Sequence, residues 1–313
     1  MKEVRIFLSD RSTRHKMAIV SRKRAQLIPY QILMAGENLP FYAAEDLQVF
    51  LSTAFENLRQ MLQVCAIAKG PHRLVTLVDD VTGLCNQVKR FPLKKAERER
   101  VAAHLRAARP RGYGEAISAL AGYRGPLKGA NEDGSMSRDF ASRLQALLAA
   151  TTVAQAIDVI SGNFSGLEKD YGKAAEDIFY ADPPFLYLAE FAKRYEDDFG
   201  RFLDDLDLAK DTLARLPGED DVPAVSDAWT QPVHLMTALR AKGKEFDTVV
   251  ILDANDGIWP SRHAETQAQK EQERRLFYVA MTRAKQKLVL TLSGRIGDHV
   301  AVPSPYLAEA GLR

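Results

Sequence analysis

Apolar residues change their spacing twice along this chain, and that change limits its architecture more than any other feature. "MAIVSR" (17–22) is an unbroken apolar run suited to a buried strand, whereas Leu47, Phe50, Leu51, Phe55, Leu58 and Leu62 recur at helical spacing. Helical patterns such as "KKAERERVAAHLRAAR", "SRDFASRLQALLAA" and the long "PFLYLAEFAKRYEDDFGRFLDDLDLAKDTLARL" continue to about residue 215, broken by stretches such as "GPLKGANEDGS". "LPGEDDVPAVSDAW" (216–229) reads as a linker. After it, "HLMTAL" (234–239), "TVVILDA" (248–254) and "KLVLTLSG" (287–294) are short apolar strands. Continuous apolar strands suit a parallel sheet covered on both faces. The pattern predicts an α/β domain built from both ends of the chain, with a mostly α-helical domain of roughly 150 residues inserted between them.

At 313 residues and 46% hydrophobic content the chain can bury two cores. No apolar run approaches the ~20 residues that span a bilayer, and "MKEVRIFLSD" carries no secretory pattern, so a cytoplasmic location without a membrane partner is expected. The two cysteines, Cys65 and Cys85, lie in apolar helical surroundings without metal-ligand spacing, so they read as buried thiols and no metal site is expected on the chain. The net charge of +2 is uneven: "RSTRHK" and "SRKRAQ" are basic, "YEDDFGRFLDDLDLAKD" acidic. Such a balance is not the footprint of a purely electrostatic nucleic-acid binder.

Two segments carry more specific chemistry. "HLMTALRAKGKEFDTVVILDANDGIWPSR" (234–262) is followed by "EQERRLFYVAMTRAKQKLVL" (271–290), in which Arg283 ends an apolar helix just before a strand. The pair, in this order and separation, resembles motifs V and VI of the UvrD/Rep family of superfamily 1 DNA helicases. "AIVSRKRAQ" followed by "AGENLPFY" is similar to the family's motif IV region, with Ser21 where Tyr is more usual. "RPRGYGEAI" (109–117) resembles the family's Gly-flanked turn at a helix start, which grips duplex phosphates through backbone amides. The resemblance implies a second RecA-like domain over residues 1–64 and 227–313, carrying an inserted helical domain over 65–226.

No GxxxxGK[ST] occurs anywhere, so the resemblance implies half of a motor. ATP, with its Mg²⁺ held by an amino-terminal RecA-like domain supplied in cis or in trans, would sit between the two domains. By resemblance, Arg283 is an arginine finger on the γ-phosphate, Arg22 a second γ-phosphate contact, and Glu245, with Gly243 ahead of it, the ribose contact. Thr237, Ala238 and Lys242, in the loop that also holds Gly243, would hold single-stranded DNA, and Arg111, Gly112 and Gly114 duplex DNA. A guanidinium suits the first role because it is planar, always charged and able to neutralise charge developing on a transferred phosphate.

Plainer alternatives stand beside these roles: a surface salt bridge for Arg283, a carboxylate paired to Lys242 or Lys244 for Glu245, and ordinary turns for the two Gly-containing loops. Trp259 reads as a core aromatic, Tyr278 as packing across a domain face, and Arg274 or Arg275 as an ion-pair partner of Glu271 or Glu273. The chain departs from the family in having Leu239 where His is usual, which removes a polar group that couples DNA to nucleotide. A non-catalytic DNA- or protein-binding module that keeps the helicase scaffold is therefore the rival to the motor.

Overall fold

A computed structural model describes residues 1–9, 15–43, 50–68, 74–88, 93–127, 131–164, 186–216, 232–296 and 299–312. One of its two compact units is built around strands β1 (Met17–Ser21), β2 (Phe41–Tyr42), β3 (Val233–Thr237), β4 (Phe246–Ile251) and β5 (Ala284–Leu290). They form one sheet in the order β2-β3-β1-β4-β5, every neighbouring pair parallel. The apolar run at 17–22 becomes the central strand because it can be covered on both faces: Met17 to Val20 are no more than 1% exposed. β1 pairs with β3 through Ile19↔Leu235 and with β4 through Ile19↔Val250, so the sheet is made from both ends of the chain, as the strand pattern implies. A short antiparallel pair, β6 (Arg295–Ile296) and β7 (His299–Val300), follows β5.

Helices α1 (Lys2–Ser9) and α2 (Ile28–Gly36) belong to this unit. Among the described residues the other unit is helical apart from an antiparallel bridge, Val88↔Phe164: α3 (Thr53–Ile67), α4 (Leu74–Gln87), α5 (Lys95–Ala108), α6 (Tyr113–Ala121), α7 (Ser135–Leu148), α8 (Val153–Asn163) and α9 (Leu186–Ala192). Local chemistry sets several starts: Ser52 Oγ accepts from the Phe55 amide at 3.2 Å, and Thr152 with Gln155 forms a reciprocal capping box. The contact units divide at residues 48/49 and 204/205, and α3 packs against α4 and α8 within the helical one. Leu47 and nearly all of the expected linker at 216–229 lie outside the described residues. Cys65 and Cys85 are buried, and burial pushes the Cys85 thiol up to about 12.

The long helical pattern ending near residue 215 is interrupted. α9 gives way to a 3₁₀ turn at Lys193–Tyr195, Glu196 takes a left-handed φ of 50°, and α10 (Phe199–Arg215) starts afresh with the Asp198 carboxylate accepting from the Arg201 amide at 2.9 Å. Two tertiary contacts offset the missing helical bonds. The Glu196 carbonyl accepts from Val153 at the start of α8 (2.8 Å), and the Tyr195 ring meets Phe202 edge-on at 4.9 Å.

His234 on β3 stands between the rings of Tyr42 and Phe246, 5.4 and 5.1 Å away, with no hydrogen-bond partner at Nδ1. Burial, aided by the Lys16 charge, lowers its pKa from 6.5 to about 4. Below pH 6.5 the unfolded chain takes up a proton that the folded chain refuses until about 4, so this site costs stability as pH falls through that window. Urea unfolding of the native protein should weaken from pH 7 to pH 5, with a contribution from this residue approaching about 1.4 kcal/mol per pH unit, and His234→Phe should flatten that part of the profile.

Candidate nucleotide and nucleic-acid site

Helix α11 (Gln267–Met281) begins with a capping box, Thr266 Oγ accepting from the Gln269 amide at 3.2 Å, and crosses toward the amino end of β5. Arg283 follows it immediately. Its amide donates to the Ala280 carbonyl (3.3 Å) and its carbonyl accepts from the Phe246 amide (2.9 Å), so its backbone is pinned between helix end and strand β4. The guanidinium donates to the Val279 carbonyl (3.0 Å), the Lys244 carbonyl (3.1 Å) and Thr282 Oγ1 (3.1 Å). All three acceptors are neutral. Among the described residues no carboxylate forms an ion pair with Arg283, so neutral groups orient the guanidinium while the Glu245 carboxylate feels its charge without bonding it.

Glu245 lies beside it through the Phe246↔Ala284 register. Its carboxylate pairs with Lys285 Nζ at 2.9 Å, both side chains more than half exposed, rather than with Lys242 or Lys244. The Lys285 hydrogen bond, followed by the Lys285 and then the Arg283 charge, holds the carboxyl below its usual range. Sequence alone did not pair Lys285 with Glu245, because the two meet only through the Phe246↔Ala284 register of β4 and β5.

Thr237 ends β3, and its carbonyl accepts from the Arg240 and Ala241 amides at 3.0 and 3.1 Å, turning the chain through 238–243. Ala238 is buried and donates its amide to the Ser21 carbonyl (2.9 Å), while Leu239 and Lys242 face solvent. Gly243 adopts φ 81°, the left-handed conformation that side chains other than glycine rarely accept.

Arg22, directly after β1, is buried with its side chain wholly withdrawn from solvent. It makes a bidentate pair with Glu273 of α11, Nε to Oε2 at 2.8 Å and Nη2 to Oε1, and the same carboxylate accepts from the Ser261 amide at 3.2 Å. Gln26 braces the strand end: its Oε1 accepts from the Arg22 and Lys23 amides (3.1 and 2.9 Å) and its Nε2 donates to Asp253 (2.7 Å). Glu273 was legible as a carboxylate on the buried stripe Glu273, Phe277, Ala280, at i, i+4, i+7.

The candidates divide between the two ends of the parallel strands. Arg22 follows β1 and Thr237 closes β3 at their carboxyl ends, whereas Glu245 and Arg283 precede the amino ends of β4 and β5. Glu273 and Met281 are separated by ~12 Å along α11 at 1.5 Å per residue, so the structure does not bring Arg22 and Arg283 onto one point. Trp259 is fully buried against Phe277 (5.0 Å) and donates to the Leu252 carbonyl (3.1 Å), a core aromatic. Tyr278 is 67% exposed in this chain. Arg274 pairs with Glu271 and Glu309.

In the helical unit, "RPRGYGEAI" forms the turn from α5 into α6. Arg109 ends α5 at φ 47°, Gly112 caps α6 in extended conformation, and Tyr113 anchors the turn by donating to Asp80 on α4 at 2.6 Å. The Arg111 side chain is 90% exposed and lies 3.3 Å from the Glu115 carboxylate, which also accepts the Arg111 amide at 2.8 Å. A Cβ added at Gly114 would meet no heavy atom within 4 Å.

Neutralising one member of the buried Arg22–Glu273 pair leaves the other charge without its partner. Glu273→Gln should therefore cost about 3–5 kcal/mol in urea unfolding, and the double variant Arg22→Met with Glu273→Leu much less. A cost for Glu273→Gln below about 1 kcal/mol would mean the pair behaves as an exposed one.

Among the described residues no helix is long and apolar enough to cross a membrane, and no cluster of three or more His, Cys, Asp or Glu is placed to hold a metal. Residues 190–295 match the UvrD-like helicase C-terminal domain family. DNA helicase II of Escherichia coli (strain K12) is 46% identical over 67 residues, 21% of this chain and 9% of that protein. The ATP-dependent DNA helicase PcrA of Bacillus subtilis is 42% identical over 91 residues, 29% of this chain and 12% of that protein. The ATP-dependent DNA helicase Rep of Buchnera aphidicola is 46% identical over 59 residues, 19% and 9% of the respective chains. These matches span only about a tenth of the length of each relative. Over residues 190–295, then, the chain is similar to the UvrD-like helicase C-terminal domain, and its parallel sheet is of the RecA-like α/β type.

Proposed function

We propose that this chain forms the second RecA-like domain, with its inserted helical domain, of an ATP-dependent DNA helicase motor. A phosphate-cradling RecA-like domain, in cis or in trans, would complete the ATP site and hold its Mg²⁺. The observation that carries this reading is the Arg283 guanidinium, fixed in place by three neutral acceptors. Such a donor set suits a phosphate, since an anion can bond the guanidinium with a charge that its neutral acceptors do not supply. MgATP, when bound, supplies the phosphoanhydride whose hydrolysis drives the cycle. Arg283 then stabilises charge on the γ-phosphate and Glu245 accepts from a ribose hydroxyl, with Gly243 letting the chain turn toward it. Thr237, Ala238 and Lys242 hold single-stranded DNA at the opposite end of the strands through a hydroxyl, the backbone and a charge. Arg22 would join Arg283 on phosphate only by turning away from Glu273. Arg111, Gly112 and Gly114 hold duplex phosphates from the helical unit.

A non-catalytic binding module is the second reading, favoured by Leu239, which stands 52% exposed where the family's polar coupling residue is expected. Turnover separates the two. The chain alone should hydrolyse no ATP. Joined to an amino-terminal RecA-like half, it should show DNA-stimulated hydrolysis that Arg283→Lys lowers by on the order of 10³-fold, with melting temperature and DNA binding unchanged. Equal turnover by Arg283→Lys and a lower melting temperature for Arg283→Ala would return Arg283 to a structural role.

The duplex assignment has its own check. Arg111→Ala with Gly114→Val should weaken duplex binding and reduce the slope of log affinity against log salt by about 0.9. An unchanged slope would leave an ordinary turn between helices.

A further inference from the structure

Helix α4 buries Leu77, Val81 and Cys85 at steps of four, while Thr76, Asp80, Gly83 and Gln87 follow one another at steps of four, three and four along a second stripe. That second stripe lines a cavity of about 530 Å³ whose other wall is α3, with Val64 and Ile67 at its apolar side. The two helices meet only lightly, because α3 rests chiefly on α8 and α4 on α5 and α6. Gly83 is the residue that packing does not explain. Glycine inside a helix costs stability, since it loses more backbone freedom on folding than any other residue. Nothing in the cavity demands it: a Cβ added at Gly83 would meet no heavy atom within 4 Å. A bare stretch of helix facing open space leaves room for the close approach of another molecule.

The polar groups of the walls set its chemistry. Asp79 and Asp80 are the charged ones, and the rest are carboxamides and a hydroxyl. Gln87 Nε2 donates to Gln60 Oε1 at 3.2 Å across the cavity, and Tyr113 donates to Asp80 at 2.6 Å. The chain's own Arg106 lies 3.4 Å from Asp79, with both side chains more than half exposed, a pairing that exchanges partners at little cost. From Gln60 to Ile67 the cavity runs ~10 Å at 1.5 Å per residue, the reach of about three extended residues.

We propose that this cavity binds an arginine-bearing, extended segment of a partner protein, with a guanidinium on the Asp79–Asp80 wall and the segment's backbone laid over Gly83. A guanidinium offers five donors in one plane, so it can meet carboxylate and carboxamide oxygens together. None of the lining residues is among those proposed for nucleotide or DNA, so the site stands apart from the motor reading.

Fluorescence anisotropy of a labelled hexapeptide of alternating arginine and alanine, titrated with the purified chain, tests this. The native chain should bind it and leave a hexapeptide of alternating glutamate and alanine free. Gly83→Leu fills the cavity and should weaken binding at least tenfold without lowering the melting temperature, and Gly83→Ala should raise that temperature by about 2–4 °C. Asp79→Asn with Asp80→Asn removes both charges but keeps an oxygen for Tyr113, and should weaken binding roughly tenfold. No binding by the native chain, binding that Gly83→Leu leaves intact, or a melting temperature that Gly83→Ala lowers would each overturn the site.

Discussion

The pairing of β1 with β3 and β4 is the constraint on which the α/β unit depends. A strand from the start of the chain lies between two from its end, with Ile19 opposite Leu235 on one side and Val250 on the other. Every backbone group in this apolar run needs a partner, and only strands from far along the sequence provide them. Closing so long a loop is favourable because its entropic cost grows only slowly with length, and the intervening residues build a helical core of their own. The same pairing sets the strand ends. Whatever follows β1 and β3 meets at one end of the parallel strands, and whatever precedes β4 and β5 meets at the other.

Two arginines show how differently one side chain can be used within that frame. Arg22 is dehydrated, so it requires a carboxylate, and Glu273 supplies it in bidentate geometry. Arg283 remains partly exposed and is steered by carbonyls and a hydroxyl that orient its plane without neutralising it. Bulk water screens a charge of the second kind, and a bound anion gains most from it when that water is displaced. Glu245 stands between these cases: exposed and lightly held by Lys285, it can exchange partners at little cost.

Much of the fold was legible because strand and helix periods are local properties. "MAIVSR", "TVVILDA" and "KLVLTLSG" are strands for the reason their composition gives, a run of apolar and β-branched residues too short for a helix. The exception is the pattern ending near residue 215. Its apolar spacing continues through Tyr195 and Phe199, yet the helix breaks at Glu196 to meet α8 and to seat Tyr195 on Phe202. Spacing cannot reveal such a break, since its compensation comes from residues elsewhere in the chain. In the site, residue types and order were visible in "KEF" and "VAMTRA", but the partners were not: Glu273 for Arg22, Lys285 for Glu245, Lys244 for Arg283.

By itself the sequence determined the α/β class, the helical insertion and the likeness to the UvrD-like helicase C-terminal domain, because periodicity and motif order are written in neighbouring residues. Only the tertiary structure decided which cations are spent inside the protein and which remain available, and at which end of the strands each stands. Arg22 and Arg283 look alike as letters. Burial against one carboxylate distinguishes the first, and neutral acceptors at a strand's amino end distinguish the second, because what a fixed charge can still bind is set by what folding places around it.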